Sequence, residues 1–310
     1  MNMLEKLPAF LIPGDAVALV ATARHVEDEI VRLATEFLES AGFVVDCFDG
    51  LMEGQNQFAG PDELRASGIN KAFFDPKIKA ILCLRGGYGT VRILEHLDEI
   101  LLKNNPKWIV GYSDVTVLHA YMGVRSIVSI HGTMPVSFPS STADSLSYLL
   151  KALKGELTSY SNVAVDGHRI GSAKGVLRGG NISVLYSLSG SELNRPQPGT
   201  ILFLEDLDEY LYHLDRMMMN FKLLGWFDAL EGLIVGGLSD MRDNTMEFGF
   251  DKDNAFGKDA RTIIEGYVKD YSFPVCFDFP AGHTTRNLPL FLNRNIEIEV
   301  RPNEIDINWG

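Results

Sequence analysis

Short apolar runs alternate with amphipathic segments through the first half of the chain. The run DAVALVAT (15–22) follows Pro13-Gly14 and predicts a buried strand. EDEIVRLATEFLES (27–40) places Ile30, Leu33, Ala34, Phe37 and Leu38 at helical spacing, and Gly42 is its stop. The rhythm continues as strand FVVDCF, helix DELRASGINKAFF, strand KAILCL, helix TVRILEHLDEIL, strand KWIVGY, helix VTVLHAYM and strand SIVSIHG. Strands separated by helices are joined by crossovers, which build a parallel sheet covered on both faces. Such doubly wound sheets hold ligands beyond the carboxyl ends of their strands, so the loops that follow strands are the places to look for chemistry.

The pattern changes near residue 150. Residues 155–180 are polar and Gly/Ser-rich, with short alternating runs such as NVAVDG, and read as a linker leading into small β structure. Strand TILFLED follows, then a helix through HLDRMMMNFKLLGWF, strand LEGLIVGGL and helix DARTIIEGYVKDY. IEIEV and EIDIN alternate with period two around RPN and predict an antiparallel hairpin. The expected fold class is therefore α/β, with an N-terminal doubly wound domain over 1–160 and a smaller mixed domain over 161–310.

Composition narrows the function. The chain has 310 residues, 46% hydrophobic and 22% charged, which suits two ordinary domains with real cores. Lys+Arg 28 against Asp+Glu 41 leaves a net charge of −13. That balance repels a phosphate backbone, and no basic run offsets it, so no nucleic-acid partner is expected. Cys47, Cys83 and Cys276 lie far apart in apolar segments and read as buried free thiols. There is no H-x-x-x-H or H-E-x-x-H, and no metal or cofactor is expected. The N-terminus lacks a basic start followed by an apolar run, and no apolar stretch approaches the ~18 residues of a membrane span. A cytoplasmic protein with no membrane partner is the expectation.

Two loops stand out. In KWIVGYSDVTVLHAYM, Ser113 sits where a strand turns sharply into a helix, an arrangement that lifts a hydroxyl above a sheet and surrounds it with backbone N–H groups. Val115 fills the second glycine position of a full G-x-S-x-G elbow, and Ser113 or Asp114 could equally be helix caps. The second loop, Arg85-Gly86-Gly87-Tyr88-Gly89-Thr90, also follows a strand, and its glycines let backbone amides approach a ligand. Arg92 occupies the third glycine position of a dinucleotide fingerprint, so nucleotide binding is disfavoured and an oxyanion-binding loop fits better. A serine needs a base, and the base needs an orienting acid. Among seven histidines, His283 in FPAGHTT is placed to project from a loop after a strand; His119 is expected to pack against the sheet, and His131 ends a strand. Glu205 closes the apolar run TILFLE and must be paired if desolvated, while Asp206 could cap the following helix.

The ordered set Gly86-Gly87-Tyr88-Gly89, Gly111-Tyr112-Ser113-Asp114-x-Thr116, Arg178-Gly179-Gly180-Asn181, Phe203-Leu204-Glu205-Asp206, Asp215-Arg216-Met217 and Ala281-Gly282-His283 resembles the LD-carboxypeptidase family of serine peptidases, over nearly the whole chain. The resemblance implies a triad of Ser113, Glu205 and His283. It further implies a flavodoxin-like N-terminal domain carrying the nucleophile, a swivelling β/α C-terminal domain carrying the acid and base, and homodimers. It also implies removal of the terminal D-Ala from murein tetrapeptides in the cytoplasm, or, as in one subgroup, cleavage of peptidyl-nucleotide antibiotics for self-immunity. The N–H groups of Gly87 and Asp114 are the candidate oxyanion donors, and Arg85, Gly86, Tyr88, Arg178 and Asn181 the candidate substrate contacts. Arg85 and Arg178 would offset the acidic field for a carboxylate substrate. A reading of another class, a non-catalytic small-ligand-binding protein in which Ser113 is only a cap, stays open at this point.

Overall fold

The computed structural model describes residues 5–48 and 54–309. Two compact units divide the chain: Met1–Thr158 with Thr285–Arg294, and Ser159–Thr284 with Asn295–Gly310.

The first unit is built on a six-stranded sheet in the order Leu290–Leu292, Ser129–His131, Trp108–Gly111, Ile78–Cys83, Ala16–Val20, Val44–Cys47. Neighbours run parallel except Leu290–Leu292, which is antiparallel to Ser129–His131. Ala16–Val20 and Trp108–Gly111 are buried along their whole length, as strands covered on both faces must be. The helices Asp28–Ser40, Asp62–Phe74 and Thr116–Gly123 follow the hydrophobic pattern closely. One expected helix, TVRILEHLDEIL, is instead two pieces, a 3-10 segment Thr90–His96 and a helix Glu99–Asn104. The break is made by Asp98, whose carboxylate accepts from the N–H groups of Ile100 and Leu101, both at 3.0 Å, and starts a new helix there.

All of 161–310 was expected in one C-terminal domain. Residues 285–294 depart from that expectation and complete the first sheet. Leu290 pairs with His131 and Leu292 with Ser129. The Asn293 amide donates to the carbonyls of His119 (3.0 Å) and Ile127 (3.3 Å), and Arg286 meets Asp144 at 2.7 Å.

The second unit carries an eight-stranded sheet: Ser159–Ala164, Glu304–Asn308, Asn295–Val300, Gly171–Asn181, Thr200–Leu207, Leu230–Ser239, Val275–Phe277, Asp166–Arg169. Its centre is parallel and its flanks antiparallel. The predicted hairpin forms, with Ile298 opposite Ile307. Helices Ile182–Ser187, Leu211–Leu223 and Ala260–Val268 cover one face over a core that includes Leu202, Leu204, Met217, Phe221, Leu233 and Ile264. The Gly/Ser-rich stretch read as a linker is strand for most of its length, including the 11-residue Gly171–Asn181. Its glycines serve close strand contact rather than looseness: a Cβ on Gly179 would lie 1.9 Å from the Phe203 carbonyl oxygen.

Cys83 and Cys276 are buried thiols, as expected; Cys47 is exposed, because its strand lies at the open edge of the first sheet. Among the described residues, no helix is long and apolar enough to cross a membrane.

Candidate active site

Strand Trp108–Gly111 ends in a short 3-10 turn, Ser113–Val115, that runs directly into the helix Thr116–Gly123. Ser113 has φ +62°. A serine in the left-handed region costs ~1–3 kcal/mol and persists only where the surroundings over-determine it. The surroundings here are the glycine-rich loop: a Cβ at Gly86 would lie 2.9 Å from Ser113 Cβ and 3.0 Å from its Oγ. Backbone of the glycine-rich loop therefore lies close against the Ser113 side chain. Neither the 3-10 turn nor the following helix has a side-chain cap, so the capping alternative for Ser113 and Asp114 is not what forms.

Asp114 does something else. Its buried carboxylate accepts from the Thr90 N–H at 2.8 Å and ties the two loops together. Burial pushes its carboxyl upward in pKa, with the Thr90 bonds opposing. Arg65, also buried, donates to the carbonyls of Thr22 and of Gly89 (2.9 Å for the latter) and pairs with Asp62. Sequence reasoning missed Arg65 and Thr90. The available signal was a cation on the apolar stripe of its helix, in line with Ala66, Ile69 and Phe73. Gly87 has φ +111°. Arg85 is half-buried, its Nη1 3.4 Å from the His25 carbonyl, and Tyr88 stands 47% exposed at the loop tip.

In the second unit, Glu205 is completely buried in strand Thr200–Leu207. Its Oε2 lies 2.6 Å from His283 Nδ1 and accepts the His283 backbone N–H at 3.3 Å. Only glycine fits before that histidine, since a Cβ at Gly282 (φ +99°) would lie 2.6 Å from Glu205 Oε2. Ser239 Oγ donates to the His283 carbonyl at 2.7 Å and fixes the loop from the other side. Burial by itself would lower the imidazole pKa; the charge and hydrogen bond of Glu205 outweigh it, with Asp206 adding to them, and the pKa is raised.

Asp206 caps the preceding helix rather than the following one. Its oxygens accept from Asn181 Nδ2, Leu207 N and Ser183 N, each at 2.9 Å, and Asn181 itself caps Ile182–Ser187 through Val184 N. Burial, then the charge of Glu205, raises the Asp206 pKa to about 7. Asn181, expected to be a substrate contact, is buried in this network. Asp206→Ala would strand one buried donor and two half-buried ones, so a loss of about 2–4 kcal/mol in urea unfolding is expected, a buried unsatisfied group costing ~1–3 kcal/mol. Arg178 lies opposite Leu202 on the neighbouring strand, and burial lowers its pKa.

Three other histidines are held elsewhere in the fold. His119 bridges Ser129 Oγ (2.8 Å) and the Gly111 carbonyl (2.9 Å), and burial pushes it down to about 4. His213 meets Glu209 at 2.6 Å, and His131 is buried in its strand. Among the described residues, no group of three or more His, Cys, Asp or Glu side chains could hold a metal ion.

One unit thus holds a hydroxyl in a strained turn packed against Gly86, and the other holds a carboxylate–imidazole pair with raised basicity. These are the working parts of serine hydrolases. Residues 17–132 match the LD-carboxypeptidase N-terminal domain and residues 174–298 the LD-carboxypeptidase C-terminal domain. The chain is 29% identical over 289 residues to the probable murein peptide carboxypeptidase of Bacillus subtilis, covering 91% of this chain and 88% of that one. The crystal structure of muramoyltetrapeptide carboxypeptidase from Oxalobacter formigenes superposes with a TM-score of 0.84 at 26% identity, covering 95% of this chain and 98% of that one. The microcin C7 self immunity protein MccF shares the fold, with a TM-score of 0.85 at 21% identity and 99% of each chain covered. The chain belongs to the LD-carboxypeptidase family of serine peptidases.

Proposed function

We propose that the chain is a serine LD-carboxypeptidase that removes the terminal D-alanine from murein tetrapeptides, with Ser113, Glu205 and His283 as its triad. The observation that carries the reading is Ser113, held at φ +62° against Gly86 in a chain of this family. Ser113 Oγ attacks the carbonyl carbon of the L–D amide while His283 takes its proton. With Nδ1–H donated to Glu205, the Nε2 lone pair faces outward as the base. The same imidazolium then returns the proton to the leaving amine of D-alanine, and a water repeats the sequence on the acyl-enzyme. The N–H groups of Gly87 and Asp114 are assigned to the developing oxyanion, where one donor is typically worth ~3 kcal/mol.

Mass spectrometry of murein tri-, tetra- and pentapeptides after incubation with the enzyme tests this. The tetrapeptide should lose one alanine while the other two stay intact. Preferential cleavage of an aminoacyl sulfamoyl nucleoside, the kind of ligand seen in two MccF complexes, would move the assignment to that substrate class.

A further inference from the structure

We propose that Arg24 reads the terminal carboxylate of the substrate, a specificity role that rests on the carboxypeptidase reading above. Gly86 and Gly87 are consecutive, and each lacks a Cβ for a different neighbour. At Gly86 the space is taken by Ser113. At Gly87 it is taken by the Arg24 stem: a Cβ there would lie 2.7 Å from Arg24 Cδ, 2.8 Å from Nε and 2.9 Å from Cγ. The nucleophile and this arginine therefore touch adjacent residues of one loop, whose Cα atoms are ~3.8 Å apart.

That spacing is the scale of the substrate. In a peptide ending in D-alanine, only the amide nitrogen and one Cα separate the attacked carbonyl carbon from the carboxylate carbon, a span of ~3–4 Å. A group that reads the carboxylate must accordingly sit one residue's length from the group that attacks the amide. Arg24 rests on Gly87, the residue after the one packed on Ser113, and reaches it from the loop after strand Ala16–Val20, at the same carboxyl edge of the sheet.

The chemistry agrees. Arg24 is exposed, and among the described residues it has no carboxylate partner within ion-pair distance. Asp114, the acid that feels its charge, is buried and committed to the Thr90 N–H. Arg85 Nη1 donates to the carbonyl of His25, the residue after Arg24, and so supports the turn that presents it. A guanidinium matches a carboxylate with two parallel N–H donors. Resting the stem on Gly87 leaves fewer rotamers to lose on binding. The result is a local cation in a chain of net charge −13 whose proposed substrate ends in an anion.

Titration calorimetry on Ser113→Ala protein, with the tetrapeptide and its C-terminal amide as probes, tests the inference without turnover. The free acid should bind tighter than the amide by about tenfold to a hundredfold, the usual weight of a charge-assisted contact. Adding Arg24→Ala should erase that preference by weakening the free acid alone, and Arg24→Lys should restore part of it. An unchanged acid-to-amide ratio, an equal loss for both peptides, or no binding of either would overturn the role of Arg24. Turnover of the tetrapeptide by the unmodified enzyme is scored separately. Peptide that is bound with Arg24-dependent preference but never cleaved would sink the carboxypeptidase reading and leave the carboxylate site standing.

Discussion

Ser113→Ala is expected to lower kcat on the murein tetrapeptide by ~10⁴-fold or more, since a triad without its nucleophile retains only the catalysis of its binding and oxyanion groups. Stability should hardly move, because alanine keeps the Cβ that already sits at φ +62° and loses only a hydroxyl. Ser113→Gly separates the two effects further. Glycine pays no penalty in the left-handed region, so this inactive variant should be more stable than the parent by about 1 kcal/mol. Chemical denaturation checks the stability and single-turnover assays the chemistry. Residual turnover near the parental rate in Ser113→Ala would remove the serine mechanism altogether.

Glu205→Gln is expected to cost ~10³–10⁴-fold in kcat, the scale seen when an orienting carboxylate becomes an amide. The pH profile carries the more specific signature. As a base, His283 must be neutral, so kcat/KM falls as pH drops through its pKa. With Glu205 in place that pKa lies above the ordinary value near ~6.5, and the acid limb of the profile should lie there too. Replacing the carboxylate removes both the charge and the acceptor that hold the proton on. Burial of the ring is then unopposed by Glu205, and the acid limb should move to lower pH. The His283 ring proton followed by NMR should titrate in step. A limb that stays where it was, or moves upward, would show that Glu205 does not control the base.

Much of this was legible in the residues. Helix Asp62–Phe74 begins and ends where its apolar spacing does, and the hairpin over 295–308 follows from strict alternation. The strand–turn–helix around Ser113 was readable because a buried strand and a helical pattern abut with only four residues between them. Other features depend on partners distant in sequence. Nothing near Asp114 announces that its carboxylate will latch Thr90, or that Asp206 will cap a helix more than twenty residues upstream. The glycines of 171–181 look like looseness in a linear reading, and only the neighbouring strand reveals that they permit close backbone contact. Arg24 carries no local mark at all; its place is set by a missing Cβ sixty-three residues later (87 − 24 = 63).

The strand Leu290–Leu292 imposes an order on how the protein can be made. It pairs with a strand ending at His131, 159 residues earlier (290 − 131 = 159), and the whole stretch 159–284 belongs to the other unit. During translation, the sheet that presents Ser113 must wait with the Ser129–His131 edge unpaired while most of the second unit emerges. An open edge invites pairing with other chains, and incompletely folded intermediates are where such misassembly begins. Neither unit can be finished before the chain passes residue 290, so the nucleophile's sheet, closed at Leu292, and the dyad's sheet, closed at Asn308, reach completion within sixteen residues of synthesis of each other (308 − 292 = 16).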